Sequence, residues 1–322
     1  MINKKVKKVL IIFLVFFVSI CLGLKINISE KRLEDFFFYQ IIEKKPDILN
    51  AKIASQVLLK PKRNLKIPEL ELEADAAISI YVSPEGKEKT LFQKQGFKEF
   101  YIASLTKLMT ASVSLDIYEL EQKIEISKTA VAQAEERGEL KPGDILAIKD
   151  LLYIVLVESS NDAAQALAEG KDKNEFMVLM NKKAESLKME NTYFSNPSGL
   201  DPKNKETPNL STAKDLSRLV KYLIFNQPQI LEITRALSYE VRQENSFHHF
   251  IGGNINILLQ EIPEIIGGKT GYTEKAGGCI TIVLEAPNQG YIINVILGSE
   301  SSQSRFVEMK KLIEWTNKAY AW

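Results

Sequence analysis

The chain has 322 residues, 45% of them apolar and 26% charged, with a formal net charge of +1. That is the balance of a globular protein long enough for one large domain, or a domain plus extensions. The near-neutral charge leaves no electrostatic footprint for nucleic acid or an acidic surface partner. Two cysteines, Cys21 in an apolar N-terminal run and Cys279 in an expected core strand, are poorly placed to bridge.

The first expected element is an export signal. Lys4, Lys5, Lys7 and Lys8 precede an almost unbroken apolar run from Val9 to Leu24, and a positive flank before an apolar stretch has that layout. Sixteen helical residues span about 24 Å, slightly short of the roughly 30 Å hydrocarbon core, and Ile26 and Ile28 can extend the run. No clear small-residue cleavage site follows, so residues 1–28 read as an uncleaved anchor or a cleaved signal. In either case the lysines stay inside and the rest faces outward, either held at the cell membrane through residues 9–24 or exported. Residues 29–73 read as a lysine- and glutamate-rich stalk interrupted by Pro46, Pro61 and Pro68.

From Ala74 to Trp322 the pattern is globular. A strand is expected at Ala77–Val82 and its return at Lys89–Phe92, around a Ser83-Pro84-Glu85-Gly86 turn. A helix is expected from about Ser104, then helices over Lys149–Leu156, Asp162–Ala168, Lys173–Leu187 and Thr212–Phe225. Strands return at Ser238–Val241, Glu264–Tyr272, Cys279–Leu284 and Tyr291–Leu297, and a last helix covers Gln303–Trp315. This order implies an α+β fold whose first and last strands share one antiparallel sheet beside a helical middle.

Three short clusters carry chemistry. In Ser104-Leu105-Thr106-Lys107, residues three apart share a helix face, so serine and lysine point the same way. Serine needs a base within hydrogen-bond reach, and lysine is a base only when neutral, a state that burial or a second cation favours. The bland alternative is a helix cap followed by a solvent lysine. Ser159-Ser160-Asn161 lies between two apolar helical segments. There Ser159 can relay protons and Asn161 can hold the lysine and a substrate amide; an ordinary capped junction, with Asp162 favouring the helix dipole, is the competing reading. Lys269-Thr270-Gly271-Tyr272 follows Gly267-Gly268 in a strand. Glycines there admit a close backbone neighbour, and an edge strand can bind an extended peptide by strand addition. Lys269 and Thr270 would face a terminal carboxylate, and the Tyr272 N–H, with that of Ser104, would face an oxyanion. A glycine-rich bend in a core strand is the alternative. The glycine spacing does not suit a phosphate loop.

Taken together and in this order, the clusters resemble those of the low-molecular-mass penicillin-binding proteins, the D-alanyl-D-alanine carboxypeptidases. Leu140-Lys141-Pro142-Gly143-Asp144, Asn161-Asp162-Ala163-Ala164, Asn196-Pro197-Ser198-Gly199-Leu200, Asn254 with Asn256, and Gly277-Gly278-Cys279 extend the resemblance over about residues 74–316. It implies a β-lactamase/transpeptidase-like fold, Ser104 as nucleophile, Lys107 as base, Ser159 and Asn161 as the second motif, and Lys269, Thr270 and Gly271 as the substrate strand. The implied substrate is the peptidoglycan stem peptide, with β-lactam antibiotics as covalent inhibitors and no metal or organic cofactor. Some departures stand out. Ser160 replaces a common glycine, Ile255 stands where some relatives have arginine, and Tyr272 where some have histidine. The extra C-terminal sheet domain and amphipathic tail of many relatives are also not expected here.

Five rivals share some of these features. A D,D-endopeptidase uses the same machinery on cross-links. A β-lactamase would need a deacylating glutamate, and none is obvious. A catalytically silent wall-binding module has no need of intact Ser104, Lys107 and Lys269. A zinc carboxypeptidase or a histidine-based triad would have to rely on His248 and His249, an adjacent pair expected in a loop.

Overall fold

The computed structural model describes residues 61–134, 137–202, 207–243 and 246–322. In chain order its elements are β1 (Lys62–Arg63), β2 (Ala76–Val82), β3 (Glu88–Lys94), β4 (Phe100–Tyr101), α1 (Thr106–Ile117), β5 (Lys123–Glu125), β6 (Ile145–Ala147), α2 (Ile148–Val157), α3 (Asn161–Glu169) and α4 (Lys173–Ser186). There follow β7 (Leu210–Ser211), α5 (Ala213–Asn226), α6 (Pro228–Thr234), β8 (Tyr239–Gln243), β9 (Ser246–Ile251), β10 (Ile265–Thr273), β11 (Gly277–Ala286), β12 (Gly290–Ser299), α7 (Ser304–Ala319) and β13 (Tyr320–Ala321).

The main sheet has the order β10-β11-β12-β2-β3, all neighbours antiparallel. The two ends of the domain therefore meet in one sheet, as the strand pattern implies. Period-two alternation divides the strand side chains between two cores. From β12, Ile293, Val295 and Leu297 join the larger core shared with the helical middle, and from β2 so do Ile78, Ile80 and Val82. Ile292 and Ile296 face the other way, toward Phe306, Met309, Leu312 and Ile313 of α7. Each such side chain, fully buried, contributes about 1.5–3 kcal/mol.

Helices α3, α4 and α5 start at a side-chain cap, from Ser160, Asp172 and Thr212. Thr212 accepts from the Asp215 N–H at the head of α5, and Leu216, Leu219, Val220 and Leu223 then bury one face. Pro228 opens α6, where a missing N–H costs nothing. This short helix was not among the expected ones. It lies under β10, and Thr234 Oγ1 accepts from the Gly268 N–H at 3.0 Å.

Two expectations need correction. The compact unit runs from Pro61 to Trp322, so it begins before Ala74. Residues 61–73, read as the end of a stalk, pack on the domain. Lys62 and Arg63 pair with β13, Leu72 is buried, and Glu308 accepts the Glu73 N–H at 2.7 Å. These anchors are scattered singly among prolines and charges, so they leave no periodic pattern. Second, His248 and His249 lie on β9, paired with β8, not in a loop. The lysine flank, the apolar run 9–24 and the rest of the expected stalk lie outside the described residues.

Candidate active site

The turn that carries Ser104 is a short 3-10 segment, Ala103–Leu105, leading into α1. The regular α-helix therefore begins two residues after the serine, at Thr106. Ala103 holds a positive φ of 45°, a region that ordinary side chains rarely occupy. Two glycines make room around this turn. A Cβ on Gly199, whose φ is +87°, would fall 1.9 Å from the Ala103 carbonyl oxygen. One on Gly271 would fall 2.8 Å from the Ser104 nitrogen. The strand therefore passes so close to the serine turn that only glycine fits without displacement.

Lys107 is fully buried, which removes the solvent-lysine alternative. Its Nζ lies 2.8 Å from Ser104 Oγ, 2.7 Å from Asn161 Oδ1 and 2.8 Å from the Ser198 carbonyl oxygen. The loop that supplies Ser198 is fixed from α1. Thr110 Oγ1 donates to Pro197 O at 2.6 Å, and Asn209 Nδ2 donates to Thr106 Oγ1 and to Asn196 O, both at 2.9 Å.

The second cluster divides its tasks. Ser160 is the N-cap of α3, accepting the Ala163 N–H at 3.1 Å, so the capping reading is right for that residue. Asn161 bridges, its Oδ1 toward Lys107 and its Nδ2 donating to Ala134 O at 2.9 Å. Ser159 sits in the left-handed region at φ +63°, a conformation that costs about 1–3 kcal/mol and persists only where the surroundings fix it. Its Oγ accepts from Lys269 Nζ at 2.8 Å.

Lys269 and Thr270 lie on β10, at the edge of the sheet, with β11 as its paired neighbour and the serine turn packed against its face at Gly271. Lys269 is buried and also donates to Thr270 O at 3.0 Å. Burial above all, then the charges of Lys107, Arg305 and Arg137, holds its ammonium well below the usual lysine range. Tyr272 is 43% exposed at the rim.

Ser104, Ser159, Thr270, Gly271 and Tyr272 line one cleft of about 240 Å³, which Arg137 and Arg305 also border. Larger surface hollows, such as one of about 750 Å³ beside Glu88 and Tyr222, contain none of these residues. All eight residues singled out in the sequence thus come together. The reading of single residues did not include Arg305 and Arg137. Arg305 is buried and donates to Gly271 O at 2.7 Å, and burial brings its guanidinium down to about 10. Nothing local marks it, since it looks like any arginine in the first turn of a helix.

The arrangement sets a serine hydroxyl against a buried lysine amine, beside the edge strand of the main sheet. Known proteins share the fold. Penicillin-binding protein D2 from Listeria monocytogenes, in its cefotaxime-bound form, superposes with a TM-score of 0.67 at 29% identity, covering 77% of this chain and 99% of that one. A D-alanyl-D-alanine carboxypeptidase from Mycobacterium tuberculosis gives 0.70 at 26% identity, over 79% and 94%. D-alanyl-D-alanine carboxypeptidase DacF of Bacillus subtilis is 30% identical over 78% of this chain and 64% of its own length. A D-alanyl-D-alanine endopeptidase of Pseudomonas aeruginosa is 30% identical over 83% and 85%. The chain thus spans a little under two thirds of the Bacillus relative and most of the Pseudomonas one. Residues 63–301 match the family described as D-alanyl-D-alanine carboxypeptidase, and the chain belongs to that family.

Proposed function

We propose that this protein is a serine D-alanyl-D-alanine carboxypeptidase that removes the terminal D-alanine from peptidoglycan stem peptides. The observation that carries the reading is the linked set of contacts from Ser104 through Lys107 to Asn161, with the Ser159–Lys269 contact at the same cleft. A neutral Lys107 donates its two N–H hydrogen bonds to Asn161 Oδ1 and Ser198 O and turns its lone pair to the Ser104 hydroxyl. Ser104 Oγ attacks the carbonyl between the two D-alanines and its proton passes to Lys107. The N–H groups of Ser104 and Tyr272 face the developing oxyanion. The C–N bond breaks, the leaving amine takes a proton by way of Ser159, and D-alanine departs. Water then cleaves the serine ester, releasing the shortened peptide and restoring the hydroxyl. Lys269 and Thr270 hold the terminal carboxylate in this scheme. Opening of a β-lactam ring by the same serine would leave a longer-lived ester.

The test is to label the protein with a fluorescent penicillin, map the modified residue and assay D-alanine release. The label belongs on Ser104, and both signals should vanish in Ser104→Ala. Release unchanged in that variant would overturn the assignment.

Cleavage of cross-links is the second reading. It is favoured by the Pseudomonas relative, named an endopeptidase, which this chain covers over most of its length. Digestion of purified sacculi separates the two: free D-alanine supports the first, monomers released from cross-linked dimers the second. The apolar run 9–24 supports a place at the cell membrane with the domain outside. Fractionation of the full chain against one lacking residues 1–28 tests that.

A further inference from the structure

The backbone at Ser159 is held from outside its own loop. Glu158, the residue before it, ends α2. Its carboxylate lies 3.0 Å from His249 Nε2 on β9, with His249 5% and Glu158 23% exposed. A carboxylate only accepts, so Nε2 carries the hydrogen. His249 Nδ1 is buried and has no partner among the described residues. Glu158 is thus the polar anchor of this ring, which otherwise meets His248 edge to face at 5.2 Å. The Glu158 carbonyl takes Arg137 Nη1 at 3.4 Å. Downstream, Ser160 and Asn161 are fixed by the helix cap and by Ala134 O. Ser159, between these anchors, is the residue at φ +63°, with its hydroxyl on Lys269.

We infer that His249 and Glu158 are a positioning pair: the β8–β9 hairpin uses them to hold Ser159 in its left-handed conformation, and so sets the rate at which Ser104 is acylated. The inference rests on the reading of the site given above. Neither residue lines the cleft. Without the carboxylate–imidazole contact, residue 158 loses its tether to β9, and Ser159 can relax toward negative φ and carry its hydroxyl away from Lys269. A displacement of about 1 Å in a catalytic group can lower the rate about 100-fold.

The experiment measures acylation of the full chain by fluorescent penicillin, resolved in time. His249→Ala should slow acylation at least about tenfold, and His249→Gln, whose amide can still donate to Glu158, should restore most of the rate. In a Ser159→Ala background the same His249→Ala change should cost less than about twofold, because the group it positions is already gone. An equal loss in both backgrounds would make His249 merely structural, and an unchanged rate in the wild-type background would give it no role; either overturns the inference. If His249→Ala does not fold, Glu158→Ala serves in the same comparison. Failure of the unmutated chain to label at Ser104 would remove the reading of the site and this inference with it. Labelling with no dependence on His249 would remove this inference alone.

Discussion

Strands β10 and β12 belong to one sheet and both are largely buried, yet they use burial in opposite ways. Central β12 spends its positions on Ile292, Ile293, Val295, Ile296 and Leu297, which fill a core on each face. Edge strand β10 gives three positions to glycine and one to a buried lysine. The first arrangement stabilises through apolar area removed from water. The second gives up that area, and burying the Lys269 charge opposes folding. A sheet with β12 at its centre can tolerate β10 at its edge, which places the costly groups where a substrate can reach them.

The sharpest way to break this contrast is at the serine that β10 approaches. Ser104→Ala and Lys107→Met should each lower acylation by penicillin by at least about 10³-fold, with melting temperature little changed or raised. Gly271→Ala tests the close approach itself. The added methyl would lie 2.8 Å from the Ser104 nitrogen, so strand and turn must separate, and acylation should fall about 100-fold. Normal rates in Gly271→Ala would show that the turn yields freely. On β12 the expectation reverses. Ile293→Ala should cost roughly 2–5 kcal/mol of stability in a denaturant titration, while the folded fraction acylates at the normal rate.

The same contrast explains what could be read in advance. The β12 hairpin and the α5 helix announce themselves by period and cap, because those signals lie within a dozen residues. The three motif clusters are also local: Ser104 and Lys107 share one turn, and Lys269 to Gly271 one strand. What was missed joins distant segments. His249 meets Glu158 across 91 positions, and Arg305 reaches Gly271 across 34. No spacing rule connects such pairs, and each residue alone has an ordinary surface explanation. Ser198 is similar, since it serves Lys107 through a backbone carbonyl, which any residue type could provide. Its loop is recognisable only through the resemblance, and the glycine that follows, Gly199, shows its purpose only once Ala103 is seen against it.

The smallest expected effect is also the one that separates the two strands most cleanly. Lys269→Met removes a charge and keeps much of the side-chain volume. Lys269 has its folded pKa lowered, by burial first and then by Lys107, Arg305 and Arg137, whereas in the unfolded chain it titrates near about 10.4. Below the folded pKa both states carry the proton, and the folded state bears the full cost of the buried ammonium. Between the two values the unfolded chain binds more protons, so wild-type stability rises with pH through that window. Above about 10.4 neither state is charged and the penalty is gone. The methionine variant has no such dependence. Its melting temperature should therefore exceed that of the wild type by at least about 2 °C on the acidic side, which is roughly 1 kcal/mol for a domain of this size. The advantage should shrink as the pH approaches about 10.4. Taking the difference between the two proteins cancels the other alkaline titrations, Tyr118 included, whose hydroxyl burial pushes up to about 12. Acylation should fall at every pH, opposite in sign to the gain in stability and opposite to the pattern of Ile293→Ala. A Lys269→Met protein less stable than the wild type across the whole range would mean that the contacts to Ser159 and Thr270 outweigh the buried charge, and that β10 is held together by its polar groups as firmly as β12 is by its apolar ones.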